Sequence, residues 1–135
     1  MKEMIEGRLF VGGADEAITA VETGVATTVM DVRVNGLAEQ PAFTYSHCPI
    51  ADESDTIAES IQVGVTELKN RLEQGESIYL HCGSGNGRAS VMTAAAFIEL
   101  GHASTLAEAE TLILQKNPSA QIRPKMRAAL EQLYK

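Results

Sequence analysis

The stretch SIYLHCGSGNGRAS, Ser77 to Ser90, sets an apolar run directly against a glycine-rich loop and then against an arginine. Ile78, Tyr79 and Leu80 have the short, unbroken apolar character of a strand buried on both faces, and such a strand needs a layer of helices above and below it. Gly83, Gly85 and Gly87 let the backbone turn tightly, and Arg88 leads into a helical run from Ala89 to Leu100. Strand, tight loop and helix in that order confine the chain to an α/β architecture with the loop at the carboxyl end of the sheet.

The rest of the chain supplies the layers. Leu9 to Val11, closed by Gly12 and Gly13, reads as a first strand; Asp15 to Val21 reads as a helix with Ala17, Ile18 and Val21 inward and Gly24 as its stop. Thr27 to Val32 is rich in β-branched residues and reads as a buried strand, and Phe43 to Ile50, after the Asn35-Gly36 turn, as another that contains Pro49. A helix follows at Thr56-x-x-Glu59, which has capping-box spacing, with Ile57, Ile61, Val65, Leu68 and Leu72 inward and Gly75 at its end. Beyond the glycine loop the pattern is helical only, with a second capping box at Thr105-x-x-Glu108 and a last helix entered at Pro124 that turns Met126, Leu130 and Leu133 inward. The spacing predicts one domain over residues 1–135, with a central, mostly parallel sheet of about four to five strands flanked by helices.

The chain carries 11 Lys and Arg against 18 Asp and Glu, a formal charge of −7. That balance repels nucleic-acid backbones and anionic lipid surfaces, so neither nucleic acid nor membrane is expected as a partner. The first residues lack the apolar core of a secretion signal, and no apolar run approaches a membrane span, so the expected location is cytoplasmic. A monomer is expected there, and in that compartment the two cysteines, Cys48 and Cys82, are thiols rather than a structural staple.

A thiolate is the nucleophilic form of cysteine, and cations and helix N-termini stabilise it. The loop from Gly83 through Ser84, Gly85 and Asn86 to Gly87 can fold into a nest whose N–H groups face an anion, while the helix after it directs its positive end into the same space. A guanidinium at Arg88 matches two phosphate oxygens at once, which an ammonium does not. Sulfur, nest and arginine together suit attack on a phosphoryl group, with the charge on its equatorial oxygens stabilised by the loop.

His81-Cys82-x5-Arg88, with Gly85 at its centre, resembles the signature of the protein tyrosine phosphatase superfamily. The short chain and helical tail are similar to its compact dual-specificity branch, particularly the cyclin-dependent kinase inhibitor type, over roughly Arg8 to Leu133 by element order. The resemblance implies a cysteine-based phosphatase fold that uses no cofactor. It also implies Cys82 as nucleophile, Gly83 to Gly87 as phosphate cradle, Arg88 as clamp and His81 as an organiser of the loop. The family's general acid follows a Pro-x-x-Asp arrangement, which Pro49-Ile50-Ala51-Asp52 matches thirty residues before Cys82, so Asp52 would act as acid and then as base. Asp55, beside Thr56, reads as support for the helix start, and Glu53 is the lesser candidate. The implied partner is a protein or peptide phosphorylated on tyrosine, serine or threonine. No lysine lies inside the loop, which argues against highly charged inositol phosphates.

Cys48 reads as a small buried hydrophobe; its functional alternative is a reversible disulfide with Cys82. His47-Cys48 and His81-Cys82 do not suggest a metal site, because neighbouring strand residues point to opposite faces and Cys-x2–4-Cys spacing is missing. Asp31 and Arg33, at a strand end, could reach the site, but a surface ion pair or turn contact is the expected role. A Walker A loop starting at Gly83 would need lysine where Ala89 stands. Ala89 is also where the family usually has serine or threonine, and Ser90 lies about 100° further round the helix. Two outcomes follow: a phosphatase whose phosphocysteine breaks down slowly, or a phosphate-binding pseudophosphatase or trap with little turnover.

Overall fold

The computed structural model describes residues 1–134. Along the chain run β1 (Lys2–Ile5), β2 (Leu9–Gly12), α1 (Ala17–Glu22), β3 (Thr28–Asp31), β4 (Thr44–His47), α2 (Ile57–Glu73), β5 (Ile78–His81), α3 (Arg88–Glu99), α4 (Leu106–Lys116) and α5 (Pro124–Leu133). The strands form one sheet in the order β1-β2-β5-β3-β4, with β1 antiparallel to β2 and the other pairs parallel.

Strand β5 is central because its side chains have apolar partners on both faces. Ile78 and Leu80 join Leu9, Val11 and Met30 in the larger core, beneath α2, α3, α4 and α5. Tyr79 joins Val29, Ala17 and Ala20 in a smaller core beneath α1. Each fully buried Ile or Leu contributes roughly 1.5–3 kcal/mol of transfer free energy, which holds the strand and therefore the start of the following loop. Helix α3 is buried on nearly every side from Ala89 to Phe97, and its alanines let α2 and α4 approach closely. No helix among the described residues is long and apolar enough to cross a membrane.

Several local expectations give way to tertiary context. β1 carries no apolar run, and only Met4 in it is buried; it forms by covering the open edge of β2, so the strand at Leu9 is second, not first. The expected strand from Phe43 to Ile50 is regular strand only over Thr44–His47, while the Cys48 and Ile50 N–H groups beyond it still donate to the Asp31 and Val32 carbonyls. Residues Ala14–Glu16 make a 3-10 turn before α1, which shifts the helix phase: Ala17 and Ala20 face the core while Ile18 is 58% exposed. At α2 the expected capping box does not form. Thr56 has helical backbone angles, φ −118° and ψ −5°, and its hydroxyl donates to the Glu53 carbonyl at 3.1 Å instead of reaching forward. Thr105, with extended angles, does cap α4 by accepting the Glu108 N–H at 3.1 Å.

Candidate active site

Between the last residue of β5 and the first of α3 the chain turns over the carboxyl end of the sheet. Strand alternation sends His81 toward the α1 face and Cys82 toward the larger core, where Cys82 is 5% exposed. The Gly85 N–H points back to the Cys82 sulfur at 3.3 Å. Gly85 has φ +87°, and a Cβ there would stand 2.6 Å from the Gly12 carbonyl, so the loop lies pressed against the end of β2. The Ala14 N–H donates to the Gly83 carbonyl at 3.1 Å on that side. On the other side the Asn86 carbonyl accepts from the Gln121 N–H at 2.7 Å and from the Ser90 hydroxyl at 2.9 Å. The buried Asn117 side chain donates to Asn86 Oδ1 at 3.0 Å. Among the described residues, no protein acceptor takes the N–H groups of Gly83, Ser84, Gly87 or Arg88.

Replacing Gly85 by alanine is expected to lower stability by about 1–3 kcal/mol, since left-handed backbone and backbone contact both oppose a Cβ. Urea unfolding checks this against Gly83→Ala, where an added Cβ meets nothing within 4 Å and the midpoint should scarcely move.

The Arg88 guanidinium spans the loop and the segment after β4. Its Nε–H donates to the Ile50 carbonyl at 3.1 Å, and Nη2 donates to the Asp52 carboxylate. Lys125 Nζ donates to the Asp52 carbonyl at 2.6 Å. Asp52, Cys82, Gly83, Ser84, Gly87 and Arg88 thus share the wall of one cavity of roughly 840 Å³. Neither Asp55 nor Glu53 lines it, and Asp55 makes no side-chain hydrogen bond among the described residues, so its expected support of the helix start is not seen.

His81 is buried behind the loop with Nδ1 3.0 Å from the Cys82 carbonyl, an acceptor only, which places the proton on Nδ1. Asp31 Oδ1 lies 4.0 Å away. Burial pushes the imidazole below its ordinary value of 6.5, outweighing the Cys82 carbonyl and Asp31, which favour the cation. The unfolded chain therefore binds the proton first on acidification, and stability should fall as pH drops below about 6.5, by at most ~1.4 kcal/mol per pH unit. Urea midpoints taken between about pH 5 and pH 7.5 should show that slope, and His81→Gln should flatten it.

Asp31 and Arg33 do not form a surface pair. Asp31 is fully buried and accepts from Arg33 Nε at 3.0 Å, Arg33 Nη2 at 2.7 Å, the Arg33 N–H at 3.0 Å and the Tyr45 hydroxyl at 2.6 Å. Burial alone would raise this carboxyl; the Arg33 and Tyr45 bonds overcome it and hold it below its ordinary value. Its contribution is therefore lost only in strong acid, below the window set by His81. The pair delivers Arg33 to the cavity wall.

Cys48 is buried with its sulfur 3.5 Å from the Ser46 hydroxyl, and burial pushes its thiol up; both cysteines are free. Ala89 is fully buried, and the Ser90 hydroxyl is committed to Asn86 rather than to the sulfur. Arg123 and Lys125, at the start of α5, also line the cavity and were not anticipated. The signal was present in Arg123-Pro124-Lys125: two cations flank a first-turn proline where helices favour acids.

A sulfur at the foot of a loop with N–H groups unpaired among the described residues, with a guanidinium and a carboxylate at one cavity, can hold a tetrahedral oxyanion and exchange a proton with it. Among solved structures the chain is similar to PTPMT1, with a TM-score of 0.80 and 18% identity over 99% of this chain and 94% of that one. It is similar to human DUSP28, with a TM-score of 0.80 and 16% identity over 98% and 94%. The human tyrosine phosphatase-like serine/threonine/tyrosine-interacting protein gives a TM-score of 0.79 and 16% identity over 98% and 94%. At these identities the likeness is one of fold. No curated protein matches the chain in sequence. A sequence model described as Tc-R-P, polymorphic toxin system, DSP-PTPase phosphatase, matches residues 11–102, which take in the end of β2, the Asp52 segment, the whole loop and α3. With more than half of its length under that match, the chain belongs to the DSP-PTPase phosphatase family and is a protein-tyrosine/dual-specificity phosphatase.

Proposed function

We propose that the protein hydrolyses phosphotyrosine, phosphoserine or phosphothreonine esters in proteins through a phosphocysteine intermediate. The observation that carries this reading is the Cys82 sulfur, which accepts the Gly85 N–H, at one cavity with Arg88 and Asp52, themselves joined by a hydrogen bond. The Cys82 thiolate attacks phosphorus, the S–P bond forms and the P–O ester bond breaks, and Asp52 gives a proton to the departing oxygen. The N–H groups of Gly83, Ser84, Gly87 and Arg88 and the Arg88 fork hold the equatorial oxygens throughout. Asp52 then takes a proton from water, whose oxygen attacks phosphorus and releases the sulfur with inorganic phosphate. His81 fixes the loop through the Cys82 carbonyl. Because a nucleophilic thiol works only while reduced, the proposed place of action is the cytoplasm.

Ala89 supports a second, slower reading. No hydroxyl follows Arg88 to stabilise the departing sulfur, and Ser90 is turned to Asn86. Hydrolysis of phosphocysteine should then limit turnover, and in the extreme the protein is a trap.

The test is turnover of an activated aryl phosphate with reductant and chelator present. Continuous turnover with a stoichiometric burst is expected, and Ala89→Ser should raise the steady rate about 10- to 100-fold while shrinking accumulated phosphoenzyme. An unchanged steady rate in that variant would remove the Ala89 account. A single product per protein would leave the trap, and dependence on metal that persists after purification would exclude the cysteine route.

A further inference from the structure

The cavity above Cys82 is larger than a phosphoryl group needs. Roughly 840 Å³ falls in the range of about 300–1,000 Å³ typical of sites for whole ligands. Part of its wall is made by Arg33, Arg123 and Lys125, which reach it from the end of β3 and the start of α5. With Arg88 that makes four cations against one lining carboxylate, Asp52. In a chain of net charge −7, this is a local reversal of sign.

The three distal cations are differently held. Arg33 is fixed on buried Asp31 through Nε and Nη2, and its Nη1 donors meet no acceptor among the described residues. Lys125 gives one proton to the Asp52 carbonyl and keeps two. Arg123 is exposed, and its side chain meets no acceptor among the described residues. The first turn of α5 contains no acid, so its positive helix end adds to the same wall.

A scissile phosphate gripped by the loop and Arg88 would leave Arg123 and Lys125 without an anion among the described residues, beside an Arg33 whose charge is already shared with Asp31. An extended polyanion would also face the acidic remainder of the surface, whereas a single neighbouring anion would not. Val34, 44% exposed on the same wall, offers apolar contact suited to a peptide. We propose that Arg33, Arg123 and Lys125 form a second anion subsite, which selects phosphopeptides with a carboxylate or further phosphate beside the scissile ester. The inference rests on the phosphoprotein reading above.

Its test compares peptides of one length that carry whichever phospho-residue the wild type turns over faster, flanked by glutamines, by glutamates or by a second phosphorylated residue. The glutamate-flanked peptide should show a kcat/KM about tenfold above the glutamine-flanked one, through KM, and the ratio should shrink as salt rises. Arg123→Gln and, separately, Lys125→Gln should each cut that ratio to about threefold or less. Equal kcat/KM for all peptides in the wild type overturns the subsite and leaves the phosphatase reading standing. A preference untouched by both variants overturns its placement. Hydrolysis of aryl phosphate or a soluble bisphosphate, with no phosphopeptide turned over, overturns the underlying reading and the subsite with it.

Discussion

Cys82→Ser is expected to lower turnover of an activated aryl phosphate by at least about 10⁴-fold while leaving the fold and the phosphate cradle in place. Serine is close to cysteine in size, and Cys82 is nearly buried at the end of a strand held by both cores, so the loop has no reason to move. The chemistry changes completely, however. A hydroxyl is almost wholly protonated near neutral pH and is a weak nucleophile without an adjacent base. Here the contact to the sulfur is a donor, the Gly85 N–H, which stabilises an anion but cannot accept a proton. The imidazole nearest in sequence gives no help, because His81 points to the other face of the sheet with Nδ1 spent on the Cys82 carbonyl. The variant should still bind a phosphopeptide, as the loop N–H groups and Arg88 are unchanged, and calorimetry would show that binding. Turnover within tenfold of the wild type would mean that sulfur is not the nucleophile.

The geometry of the glycine-rich loop was legible because its residues are contiguous and the physics is local. An apolar strand, glycines at turning points and an arginine at a helix start state their own geometry, and the structure places Cys82, Arg88 and Asp52 at one cavity. The main helices were legible for the same reason; the stripe from Ile57 to Leu72 on α2 is buried along its length. What escaped depends on distant chain. β1 exists because β2 has an edge, and Ile18 is exposed because a 3-10 turn precedes its helix. A surface role is the simpler reading of Arg33 because nothing in its own segment shows that Asp31 will be buried between β5 and β4, with Tyr45 as a further donor. The cations of α5 lie beyond two helices, and only the fold brings them back to the cavity.

Asp52→Asn should have an effect that depends on the leaving group. With a phosphoserine or phosphothreonine peptide the departing alkoxide is strongly basic, and loss of the proton donor should lower the rate of phosphoenzyme formation by about 10²–10⁴-fold, with kcat falling once that step limits. With an activated aryl phosphate the departing oxygen needs little protonation, and the loss in the first step should be about tenfold or less. The amide keeps an oxygen that can accept from Arg88 Nη2, so the segment held through Ile50 and Lys125 should stay in place. It also removes the negative charge that occupies the Arg88 fork in the free protein. Phosphate must compete with that carboxylate in the wild type, so the variant should bind phosphopeptides more tightly, with KM falling as kcat falls. Asp55→Asn, outside the cavity, should change neither value. An equal loss in the rate of phosphoenzyme formation on both substrates, measured in the burst and so apart from the shared hydrolysis step, would assign Asp52 to positioning Arg88, because a residue that only aligns the clamp cannot distinguish a good leaving group from a poor one.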